Sequence, residues 1–128
     1  MSQSWASKKV STSFDETIAR VTEELKKEGF GILTEIDVKD TLKKKLDVNF
    51  RNYRILGACN PSFAYKALQA EDKVGTMLPC NVIAQEMDGG IEIAAVDPLA
   101  SMRAIDNHEL RKIAETIRKK LKAVVEAV

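Results

Sequence analysis

Apolar residues recur along this chain in two rhythms, one close to four and one of two. Phe14, Ile18, Val21 and Leu25 follow at spacings of four, three and four, which is one face of an amphipathic helix. Ser13-Phe14-Asp15-Glu16 has the form of a capping box at its start, with the Ser13 hydroxyl accepting from the Glu16 amide. Lys26 and Lys27 suit the negative end of the helix dipole, and Gly29 supplies a left-handed stop. A longer stripe of Leu110, Ile113, Ala114, Ile117, Leu121, Val124, Val125 and Val128 predicts a closing helix capped by Asn107.

The rhythm of two predicts five strands. Ala6 to Thr12 is a polar edge strand in which Lys8 and Lys9 discourage aggregation. Phe30 to Ile36 places Phe30, Ile32 and Ile36 on one side. Tyr53 to Cys59, Cys80 to Met87 and Ile91 to Val96 follow, the last two joined by a tight Asp88-Gly89-Gly90 hairpin. Shorter helices fill the gaps. Asp37 caps one over Val38 to Leu46, and Asn60 with Pro61 opens another that runs to about Ala70. Glu71 to Met77 reads as a turn around Gly75, and Leu99 to Ile105 as one or two loose helical turns. This order predicts an α+β fold with a five-stranded sheet, mixed or antiparallel, and helices packed mainly on one face.

At 128 residues the expectation is a single domain spanning 1–128. Twenty basic and nineteen acidic residues leave a net charge of +1, so no global field recruits nucleic acid or an anionic membrane. No apolar run approaches the roughly 20 residues of a membrane span, and Met1-Ser2-Gln3-Ser4-Trp5 does not lead into a signal-peptide core. Two cysteines are too few for a disulfide scaffold; the expectation is a soluble cytoplasmic protein with both reduced.

Candidate chemistry gathers in two segments, Leu56-Gly57-Ala58-Cys59-Asn60-Pro61 and Leu78-Pro79-Cys80-Asn81. The cysteines are 21 residues apart, so this is neither a Cys-x-x-Cys redox motif nor a zinc knuckle. If their strands run antiparallel, both sulfurs meet at one edge of the sheet, even near disulfide range, where alpha carbons lie about 4.4–6.8 Å apart. A parallel crossover would instead separate them by about 20 Å. Cys59 precedes the cap of a helix, whose positive end lowers a thiol pKa, and Asn60 and Asn81 can donate to a thiolate or bound anion. The plainest reading is that both cysteines pack as small apolar side chains. Beyond it stand a small-molecule site formed by Cys59, Asn60, Pro61, Pro79, Cys80, Asn81 and Asp97, and a thiol-redox or soft-metal site on Cys59 and Cys80. Met77 and Met102 can join the cysteines around Cu(I), though methionine is more often gap filler. His108 has no partner for a triad, so no catalytic residue and no cofactor is assigned, and enzymatic activity stays open. The binding module is preferred, because no acid–base partner accompanies the thiols.

The two cysteine segments, with Gly29-Phe30, Ile36-Asp37 and Asp97-Pro98, resemble the bacterial and archaeal family called domain of unknown function 302. The likeness covers nearly the whole chain. It implies a fold similar to the TATA-binding-protein-like arrangement, with one strand, a helix, four more strands and a closing helix around a curved antiparallel sheet. It also implies a homodimer. It carries no activity with it, and similarity to a DNA-binding fold implies nothing about DNA.

Overall fold

The computed structural model of the protein describes residues 5–128; the segment Met1 to Ser4 lies outside the described residues. Strand β1 (Trp5–Val10) leads into helix α1 (Phe14–Lys27), which the Ser13 hydroxyl caps by accepting from the Glu16 amide at 3.2 Å. The chain leaves α1 through Gly29 at φ 87°. Strand β2 (Gly31–Asp37) runs straight into α2 (Val38–Leu46), whose first turn is capped by the Asp37 carboxylate accepting from the Asp40 amide. Strand β3 (Tyr53–Cys59), helix α3 (Pro61–Ala70) and a 3₁₀ helix (Asp72–Met77) follow. Strands β4 (Cys80–Met87) and β5 (Gly90–Val96) form the hairpin, then come a single turn, α4 (Pro98–Ser101), and the closing helix α5 (His108–Ala127).

The five strands form one open antiparallel sheet in the order β1-β5-β4-β3-β2. Strict alternation along β4 and β5 buries Val82, Ala84, Ile91, Ile93 and Ala95 on one face. That face meets α1 and α5, which bring Val21, Leu25, Ile117, Leu121, Val124 and Val125 into the same core. The predicted stripe of α5 is buried at every position except Ile113, which is half-buried. Lys8 extends past the core edge and donates from Nζ to the carbonyls of Glu126 and Val128, tying β1 to the end of α5. No helix among the described residues is long and apolar enough to cross a membrane.

Three expectations need correcting. The pairing of β2 with β3 slips between Ile32 and Thr34, and this bulge reverses the side-chain parity beyond it. Ile32 therefore packs against the core, whereas Ile36 pairs with Ile55 and lies 47% exposed on the other face. The segment after Glu71 is a 3₁₀ helix rather than a plain turn, pinned by buried Val74 and capped by the Glu71 carboxylate. The helical turns expected up to Ile105 end at Ser101.

Candidate functional site

Antiparallel pairing of β3 with β4 brings the two cysteine segments together. Ala58 lies opposite Cys80, so Cys59 stands one position along β3 from Cys80's partner, at the same end of the sheet but with alternation turning its side chain towards the other face. Cys80 shares the core face with Ala58 and is 8% exposed; Cys59, at the last position of β3, is half-buried. Both are free thiols.

Chain direction then builds a chamber over them. After Cys59 the backbone turns into α3, which packs on α5, and α4 packs on α5 beside it. Between these helices and the ends of β3 and β4 is a cavity of about 40 Å³. Cys59, Asn60, Pro79 and Cys80 form one side; Phe63, Ala64, Met102, Ile113 and Ile117 are among the residues of the other. Its walls hold no charged side chain among the described residues. A cavity holds a water if it offers about 10–15 Å³, so this space suits two or three water-sized bodies. It falls well short of the roughly 300–1,000 Å³ of drug-sized ligand sites.

The electrostatics follow from burial. Removal from water, and to a lesser extent the neighbouring Cys59 thiol, push the Cys80 thiol up to about 11 from an ordinary 9.0. The folded state therefore favours neutral Cys80. Stability from this group is complete below about pH 9 and is lost as pH rises towards 11, by about 2–3 kcal/mol at 1.36 kcal/mol per unit. A urea titration at several alkaline pH values checks this: the decline is expected to be steeper in the protein than in Cys80→Ala. At pH 8, iodoacetamide is expected to label Cys59 well before Cys80, as read by peptide mass spectrometry.

Not all the predicted residues gather here. Asn81 is exposed and, one residue after Cys80, points to the uncovered face of the sheet. Asp97 caps α4 through the Leu99 amide and pairs with Arg118 at 3.1 Å; its neighbour Pro98, not Asp97, borders the cavity. Pro61 is exposed at the first position of α3. Asn60 occupies the N-cap position yet makes no capping bond with its side chain. Its amide instead donates to the Glu28 carbonyl at 3.3 Å, fastening the start of α3 to the end of α1. Met77 is exposed and away from the chamber, whereas Met102 lines it. Phe63 and Ile113 line the chamber too; in the sequence Ile113 is only one member of the closing helix's apolar stripe, and nothing singles out Phe63.

The model of the family described as domain of unknown function DUF302 matches residues 6–128. Among solved structures, the chain is similar to an uncharacterized conserved DUF302 protein from Bacillus stearothermophilus, with a TM-score of 0.92 and 32% identity. The likeness covers 98% of each chain. No curated protein matches. The family model's span, agreeing with the strand order and the two cysteine segments, establishes that this chain belongs to the domain of unknown function DUF302 family.

Proposed function

We propose that the protein is a small homodimeric binding module whose ligand occupies the cavity beside Cys59 and Cys80. The observation that carries this reading is the chamber itself: an apolar hollow bounded by both cysteine segments. Apolar hollows of this kind stay dry and can take a small apolar guest. An organic ligand larger than a few atoms enters only if α3 and the 3₁₀ helix move outward. Thiol–disulfide exchange is the poorer reading, since burial holds Cys80 protonated and the thiolate is the reacting species.

The test is a chemical-shift titration with a small apolar probe, benzene or indole. Shifts are expected at the methyl groups of Ala64, Met102 and Ile113, and Ala64→Leu, which fills the hollow, is expected to remove them. No shift at those methyls with either probe at millimolar concentration overturns the reading.

Support for the dimer comes from the uncovered sheet face. Ile36, Ile55, Ile83 and Ala94 form a row across four strands, beside a groove of about 460 Å³ that includes Tyr53 and Asn81. Two such faces, stacked about a twofold axis, would bury that row. Sedimentation equilibrium is expected to give a dimer for the protein and a monomer for Ile83→Glu. A monomeric protein at tens of micromolar sinks this part.

A further inference from the structure

We propose that the uncovered sheet face joins a second copy of this chain about a twofold axis parallel to β4, with Arg51 of each protomer paired to Glu92 of the partner subunit. The proposal rests on the reading that this face forms the dimer, and it adds the orientation of the two copies and the charge pair that sets it.

Two rows of side chains cross the face. In the first, Tyr53, Gln85 and Glu92 stand opposite one another on β3, β4 and β5. Arg51 joins its β3 end. The guanidinium lies 4.3 Å from the Phe50 ring centre and 5.8 Å from that of Tyr53, and its Nε donates to Gln85 Oε1 at 3.0 Å. The Gln85 amide in turn donates to Glu92 Oε1 at 2.8 Å. The row thus begins in a cation and ends in an anion. Among the described residues neither Arg51 nor Glu92 forms an ion pair within the chain. Lys9, opposite Glu92, donates from Nζ to the Asp88 carbonyl instead. The second row is graded in size from β1 to β2: Ser7, Ala94, Ile83, Ile55 and Ile36.

A twofold contact uses one patch on both copies, so the patch must complement itself. An axis along the strands lays each row over its own reverse. Ile55 then faces the partner's Ala94, Ile36 faces the partner's Ser7, and Ile83 meets its copy on the axis, so that large side chains meet small ones. The same operation sets the Arg51 end of the first row over the Glu92 end of its copy. Sheets packed face to face lie about 10 Å apart, a gap that an arginine and a glutamate reaching from opposite sides span. An axis across the strands achieves neither fit. It sets Ile55 on Ile55 and Ala94 on Ala94, which close packing disfavours. It also carries Arg51 and Glu92 to the level of Asn81 and Val96, where each charge loses water without gaining an opposite charge.

Sedimentation equilibrium of the full chain reads the dissociation constant of the dimer. Arg51 is exposed and Glu92 half-buried, so their exchange leaves the core intact. Arg51→Glu and Glu92→Arg are each expected to weaken the dimer by about thirtyfold or more, the usual effect of breaking a desolvated charge pair, while circular dichroism stays native. An equimolar mixture of the two variants is expected to return to near-parent affinity, because the heterodimer restores both charge pairs in exchanged form. A disturbance confined to one chain cannot be repaired in this way. If the reversals leave the constant unchanged, or the mixture associates no more tightly than either variant alone, this orientation falls and the dimer stands. A parent chain that is monomeric at tens of micromolar removes both.

Discussion

Replacing Gly57 by alanine is expected to destabilise the fold by about 3 kcal/mol, the upper range for overpacking a close contact, read as a lower urea midpoint at unchanged slope. A methyl group at this position would overlap Thr34 Oγ1 and come within 2.8 Å of Pro79 Cγ. Thr34 can rotate away, but the proline ring sits one residue before Cys80 and cannot yield without moving it. Gly57→Ala is therefore expected to loosen the chamber as well, with faster alkylation of Cys80. The double variant Gly57→Ala, Thr34→Ala should recover part of the loss, because only the Thr34 overlap is relieved. Strict additivity of the two single changes would show that this contact is not the cause.

Alanine at position 90 is expected to cost more, about 4 kcal/mol, from the combination of backbone strain and overpacking. Gly90 has φ 153°, and an added methyl group would overlap the carbonyl oxygen of Val10 on the neighbouring strand. That clash is backbone on backbone, so no rotamer relieves it. Gly89 is the internal control. It also has positive φ, 84°, but open space surrounds its missing side chain. Asparagine tolerates the left-handed region, so Gly89→Asn is expected to lose under about 1 kcal/mol. Thermal unfolding of the two variants side by side decides the matter. Equal losses would mean that turn geometry, and not the packing of β1 on β5, sets the requirement.

Helix starts, apolar stripes and strand spans were legible in the sequence because they depend on near neighbours. Ser13, Asp37 and Asn107 cap the helices they were expected to cap, and β3 and β4 have the predicted limits. What escaped depends on distant residues. Ile36 was misplaced because a bulge is set by the partner strand and leaves no mark in a pattern of alternating residues. Asn60 was read as a cap, yet its amide finds the carbonyl of Glu28, a contact of 32 residues' separation. Asn81 was assigned to the cysteine site because it is adjacent in sequence, although alternation along a strand sends adjacent residues to opposite faces. The near wall of the chamber was thus readable from the two cysteine segments. Its far wall, with Met102 and Ile113, comes from α4, α5 and the loop between them, and their packing had to be seen.

The sheet order has a further consequence for how the chain comes together during translation. Val10 finds its partner at Ile91, so β1 cannot pair until the hairpin some 81 residues later has been made. Until then its backbone groups lack strand partners, and an unpaired ribbon is a template for the same segment of another copy. The lysine pair at positions 8 and 9 then serves twice: its charge keeps early chains apart, and Lys8 later latches the last helix in place.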